Sequence, residues 1–153
     1  MKLKTILITA ASVAGLCSAL PASAQFQKPE DAIKYRKAAF TLIGTHFSRI
    51  GAMAQGRTPF DGAAAAANAE IVADLAKLPF SAFVDGTSGT DKGTPKANVW
   101  TERAKFDEHA KAMQVEAGKL AVAAKANNLD TLKLAFGSTA KTCKSCHDSF
   151  RND

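Results

Sequence analysis

Residues 130–150 read DTLKLAFGSTAKTCKSCHDSF. Apolar side chains recur along this stretch at helical spacing, and they share one face with the pattern C-x-x-C-H at residues 143–147. The stretch therefore predicts an amphipathic helix whose inward face carries two thiols and an imidazole. The residues of this face are Leu132, Phe136, Cys143, Cys146, His147 and Phe150.

The spacing within the pattern has a mechanical consequence. Cys143 and Cys146 are three residues apart, so both sulfurs lie on one side of a helix. C-x-x-C-H is the covalent attachment sequence of haem c: the two thiols form thioethers with the haem vinyl groups, and the imidazole, here His147, becomes an axial iron ligand. We therefore expect one haem c, held through both cysteines.

Two other chemistries use a pair of cysteines at this spacing. A dithiol redox pair usually follows a strand and opens a helix, and no strand is indicated here. A closed zinc site needs further ligands, and the remaining histidines, His46 and His109, have no finger-like spacing to the motif.

The first 24 residues resemble an export signal. Lys2 and Lys4 form a basic start, residues 6–20 are mostly apolar, and Ala22-Ser23-Ala24 is a small-x-small cleavage site. The segment is too short to span a membrane as a helix. We expect residues 1–24 to be removed, which leaves one periplasmic domain over residues 25–153 with no membrane anchor and no cysteines besides the motif pair.

The charge of the chain is moderately positive, +6 in total, and loss of Lys2 and Lys4 lowers it. The basic residues are scattered and lack interleaved aromatic side chains. This pattern argues against nucleic acid as a partner and favours a solvated surface that mildly prefers acidic redox partners.

The remaining sequence predicts three more helices, and hence an all-α, antiparallel four-helix bundle with the haem in its core near the C-terminal helix. The first helix begins at Pro29 and is ended by Gly56 and Pro59. The second runs from about Asp61 to Leu78. An irregular connection over residues 80–96 precedes the third helix. The third spans residues 97–126, and the fourth runs to about Phe150, with Asp130 as its cap.

Two of these helices carry regular apolar stripes. The stripe of the third helix contains Trp100, Phe106, Met113 and Leu120, and that of the first helix contains Ile33, Phe40, Ile43, Phe47, Ile50 and Ala54, with Arg36 on the same face.

Several segments together resemble the cytochrome c′ family of periplasmic four-helix-bundle haem proteins. They are the opening KPEDAIKYR at residues 28–36, the segment LPF at 78–80 that leads to Gly86-Thr87, and the tail CKSCHDSFR at 143–151. The resemblance covers essentially all of residues 25–153. It implies a homodimer whose first and second helices pack across a twofold axis, and a role in nitric oxide binding or protection.

The resemblance also assigns roles to single residues. Cys143 and Cys146 match the thioether cysteines, and His147 matches the proximal iron ligand. Arg36 and Lys37 match first-helix contacts to the haem and its propionates, although the family often has Gln where this chain has Lys37.

Three further positions are implied in the same way. Asp91 matches a haem-side position in the long connection. Phe40 matches the apolar residue that covers the vacant face of the iron. Arg151 matches a basic residue near the proximal histidine, and it lies one helical turn after His147.

The sixth coordination position separates a saturated electron carrier from an open, ligand-binding haem. Met53 lies about 20 Å along the first helix from Phe40, at about 1.5 Å per residue. We expect Met113 to fill the core, and His46 and His109 to be surface or edge residues.

These observations predict a five-coordinate haem c protein that binds nitric oxide and carbon monoxide in preference to dioxygen, because an apolar wall offers no donor to a polarised Fe–O₂ unit. We expect no enzymatic activity, since a peroxidase would need distal acid–base groups. A dedicated electron carrier with a periplasmic redox partner is the alternative.

Overall fold

The computed structural model describes residues 25–153, so the predicted signal segment lies outside the described residues. The fold over this range is all-α, as predicted. Its elements are α1 (Pro29–Ala54), α2 (Gly62–Leu75), a 3₁₀ turn (Pro79–Ala82), α3 (Asn98–Thr101), α4 (Arg103–Lys125) and α5 (Leu129–Phe150). No helix within residues 25–153 is both long and apolar enough to cross a membrane.

The four long helices form an antiparallel bundle in which α1 packs on α2, α2 on α4, α4 on α5 and α5 on α1. Contacts between helix ends show the directions. Gly51, late in α1, faces Phe136, early in α5, so closely that an added Cβ would lie 2.8 Å from the ring. The ring of Phe106, early in α4, lies 5.4 Å from that of Phe150, at the end of α5. The predicted bundle is confirmed.

The core has two parts, because small residues allow close packing at one end and aromatic residues fill the other. In the first part, the buried alanines Ala65 and Ala69 on the inner face of α2, with Ala76 directly after the helix, let α1 and α4 approach. The second part consists of Phe83, Val99, Phe106 and Phe150, with Phe40, Phe80, Trp100 and Cys146 packed against it.

Three predicted helix boundaries were wrong. The predicted third helix is broken at Glu102, whose backbone leaves the helical region (φ −114°, ψ 40°), so Trp100 lies in α3 and not in α4. The second helix ends at Leu75, before the 3₁₀ turn that begins at Pro79, because proline has no amide hydrogen with which to continue the helical hydrogen bonds. The Leu78 amide donates to the Leu75 carbonyl at 3.0 Å, in the tighter spacing of a turn.

The cap of the last helix is Asn128, not Asp130. The Asn128 side chain accepts a hydrogen bond from the Thr131 amide at 2.9 Å. The preceding Asn127 adopts the left-handed region (φ 50°), which asparagine tolerates, and this turn places Asn128 at the start of α5.

The long connection is held down by the tail of the chain. The Gly93 amide donates to the Asn152 carbonyl at 2.7 Å, and the Asn152 amide donates to the Thr94 carbonyl at 2.9 Å. The Asn152 side chain donates to the Gly89 carbonyl at 2.7 Å. These bonds fix the connection beside the C-terminal end of α5, where the C-x-x-C-H pattern lies.

Candidate cofactor site

A large cavity of about 1050 Å³ opens between α1, α4, α5 and the long connection. Its volume lies just above the range of about 300–1,000 Å³ typical of small-molecule and cofactor sites. Every site residue predicted from the sequence lines this one cavity: Arg36, Lys37, Phe40, Asp91, Cys143, Cys146, His147 and Arg151.

The α5 wall carries the two thiols and the imidazole. Cys143 and Cys146 are free and half-buried. Burial raises the pKa of Cys143, and burial together with the neighbouring Cys143 raises the pKa of Cys146 to about 11. Burial and the positive charge of Arg151 lower the pKa of His147. At neutral pH the imidazole is therefore neutral, the form in which a ring nitrogen can donate its lone pair to iron.

The α1 wall contributes a buried cation. Arg36 is 4% exposed, and its guanidinium donates to the Ala82 carbonyl at 3.2 Å and to the Thr87 hydroxyl at 2.6 Å. The guanidinium carbon also lies 4.8 Å from the centre of the Phe83 ring. Burial lowers the pKa of Arg36, yet an arginine keeps its charge in proteins. Within residues 25–153 no carboxylate pairs with it.

An aromatic cluster forms an apolar part of the cavity wall. The Phe40 ring packs edge to face against Phe80 at 6.0 Å and against Phe83 at 6.3 Å between ring centres. Phe106 closes the cluster, 4.7 Å from Phe83. Phe40 is half-buried and lies where α1 meets the cavity. Its side chain therefore both packs in the core and covers part of the cavity.

Three charged residues line the cavity while remaining exposed: Lys37, Asp91 and Arg151. None of them forms an ion pair within the described part of the chain. Their predicted contacts with the cofactor stay predictions, whereas their position at the cavity is observed.

Other residues that line the cavity were not predicted from the sequence to do so. His109, expected to be a surface or edge residue, is half-buried on the cavity wall, where its ring packs against Phe150 at 5.5 Å. Met113 is buried in the core as predicted, and it also reaches the cavity. Thr87 and Thr139 are buried lining residues. Helical periodicity carries no signal for Thr87, because it lies in the irregular connection.

Haem c fits the residues that are present. Two free thiols and a neutral imidazole on one helix face supply the donor set, and the unpaired buried cation supplies a partner for a propionate. Among residues 25–153, no group of three or more His, Cys, Asp and Glu side chains is arranged to hold a metal ion, so the thiols lack the further ligands of a closed zinc site.

Comparison with known proteins agrees with this geometry. The sequence pattern of the family described as Cytochrome C' matches residues 31–151. Cytochrome c′ of Alcaligenes xylosoxydans xylosoxydans is 42% identical over 127 residues, which cover 83% of this chain and 98% of that protein.

Two solved structures have the same fold. The crystal structure of cytochrome c′ from Rubrivivax gelatinosus has a TM-score of 0.78 at 45% identity and covers 84% of this chain and 100% of its own. The nitric oxide complex of a leucine-to-alanine variant of cytochrome c′ from Alcaligenes xylosoxidans has a TM-score of 0.78 at 41% identity, with 84% and 99% covered. The chain therefore belongs to the cytochrome c′ family, whose members carry a c-type haem.

Proposed function

We propose that this protein is a periplasmic haem c protein with a five-coordinate iron, which binds nitric oxide and carbon monoxide and catalyses no reaction. Membership of the cytochrome c′ family supports the cofactor, and the nitric oxide complex of the Alcaligenes xylosoxidans variant supports the ligand class. The chemistry that haem c supplies in such a site is an iron centre with one open coordination position.

The residues of the chain would hold that cofactor in a defined way. Cys143 and Cys146 attach it through one thioether each, and His147 supplies the proximal nitrogen. Arg36 offers a buried positive charge to a propionate, and Lys37 and Arg151 add positive charge on the cavity wall.

The observation that carries the proposal is the aromatic wall formed by Phe40, Phe80 and Phe83. Such a wall offers no hydrogen bond to a polarised ligand and no group to move a proton, which favours neutral diatomics over dioxygen or peroxide chemistry. His109 is the second imidazole that lines the cavity. Its ring packs against Phe150 of α5, so it lies beside the helix that carries His147.

Optical spectra of the ferrous protein, with and without nitric oxide, test this function. A five-coordinate haem gives a high-spin spectrum that changes on addition of nitric oxide or carbon monoxide. A six-coordinate low-spin spectrum that neither gas alters would refute the gas-binding role and favour the dedicated electron carrier.

Mass spectrometry of the denatured protein tests the covalent attachment of the haem. We expect the chain from Gln25 plus one haem, and full recovery of haem in an acidified organic extract would overturn the thioether assignment.

We also propose that the protein is a homodimer. Exposed apolar side chains on α1 and α2, Leu42 (49% exposed) and Ile71 (39%), support an interface through these two helices. Sedimentation equilibrium at micromolar concentration should show a dimer that Leu42→Glu dissociates. Val122→Glu, on α4, is the matched control and should leave the dimer intact. A parent protein that is monomeric would contradict the proposal.

A further inference from the structure

The hydrogen bonds of Arg36 leave part of its guanidinium unused. An arginine side chain has five N–H donors in a rigid fork. Both hydrogens of Nη1 are used, one by the Ala82 carbonyl and one by the Thr87 hydroxyl, and one hydrogen of Nη2 is used by the Thr87 carbonyl at 2.5 Å. The Nε hydrogen and the second Nη2 hydrogen have no protein acceptor in the described range.

A buried charge without a counter-ion is costly, so this arrangement favours an anion that residues 25–153 do not supply. Arg36 lines the cavity and pairs with no carboxylate of residues 25–153. Two neighbouring donors of a guanidinium match the two oxygens of a carboxylate. The orientation of the guanidinium therefore decides whether these donors face a carboxylate of the cofactor.

Thr87 supplies two of the three acceptors that bind the Arg36 guanidinium. It is 1% exposed, and its hydroxyl donates to the Val84 carbonyl at 2.7 Å, so the hydroxyl oxygen accepts from Arg36 and does not compete as a donor. The Phe83 ring supports the guanidinium from one side at 4.8 Å. Of the contacts that the guanidinium makes with two carbonyls, one hydroxyl and one ring, only the hydroxyl contact can be removed by a side-chain substitution that leaves the aromatic ring in place.

We infer that Thr87 is a positioning residue, whose hydroxyl holds the Arg36 guanidinium with its two remaining donors toward a carboxylate of the bound haem c. The inference rests on the proposed function, since it requires the haem in this cavity. It goes beyond that function because it assigns the placement of a cofactor contact to a residue of the irregular connection.

The reduction potential of the loaded protein provides the test. A cation held close to the cofactor favours the reduced state, which carries less positive charge. Thr87→Val removes the hydroxyl at similar volume and should lower the potential, whereas Thr87→Ser keeps the hydroxyl and should retain the parent value. Thr87→Ala, which cannot crowd the site, carries the same prediction as Thr87→Val if the valine variant fails to load haem.

The Arg36→Gln background separates positioning from a general structural effect. There Thr87→Val should cause no further change in the potential. Thr45→Val is the control for loss of a threonine hydroxyl, because Thr45 lies on the same helix as Arg36, donates to the Thr41 carbonyl at 2.8 Å, and does not line the cavity. It should leave the potential unchanged.

Two results would overturn the inference: an unchanged potential in folded, haem-loaded Thr87→Val, or an equal shift with and without Arg36. Absence of covalent haem in the parent protein would instead overturn the proposed function, and the mass spectrum distinguishes that failure from the other two.

Discussion

Replacement of Phe40 by alanine tests whether this side chain restricts access to the cavity. Phe40 contributes to edge-to-face pairs with Phe80 and Phe83, each worth about 0.5–1.5 kcal/mol beyond burial. Full truncation of a buried phenylalanine costs about 3–5 kcal/mol. Because Phe40 is half-buried and one side faces the cavity, we expect a smaller loss than this, about 2–3 kcal/mol in the free energy of unfolding.

The functional readout is the association rate of carbon monoxide with the ferrous protein. Truncation enlarges the cavity beside the aromatic cluster, so association should become faster in Phe40→Ala, and water or dioxygen should gain access. Phe136→Ala is the matched control: Phe136 is also half-buried, stacks on Phe47 at 4.4 Å, and does not line the cavity. It should lower stability without changing the rate. An unchanged association rate in folded Phe40→Ala would show that access is controlled elsewhere.

Three other substitutions test single features of the site and the fold. His147→Ala should alter the Soret band strongly while His46→Ala leaves it intact, and an unchanged band in the first variant would identify another residue as the ligand. Asn128→Ala should lower the free energy of unfolding by about 1 kcal/mol through loss of the helix cap, as measured by urea denaturation. Asp130→Ala should lower it by less, and a larger loss in Asp130→Ala than in Asn128→Ala would identify Asp130 as the cap. Asn152→Ala removes two side-chain hydrogen bonds to the long connection, so proteolysis within residues 86–96 should become faster, and an unchanged cleavage rate would contradict a role for the tail in holding the connection.

The helices and their inward faces could be predicted from the sequence because local periodicity records which side of a helix is buried. Ile43, Ile50, Phe106 and Leu120 were predicted on apolar stripes and are buried in the core. The C-x-x-C-H pattern was equally informative, since the two cysteines and the histidine belong to a single helix and their spacing alone puts them on one side.

Features that depend on contacts between distant segments had no such local record. The partner of Asn152 is a loop about 60 residues earlier in the chain, and the hydroxyl that receives Arg36 lies 51 residues later, in a segment with no periodicity. Two helix boundaries also depend on backbone angles that the sequence does not fix. They are the start of α5, which is capped by Asn128 and not by Asp130, and the break at Glu102. The sequence by itself therefore determined the long helices, their apolar faces and the shared face of the C-x-x-C-H residues, because each of these follows from spacing within a single helix. Only the tertiary structure decided that Arg36, the aromatic wall and the motif enclose one cavity, because that depends on how separate helices and the long connection pack together.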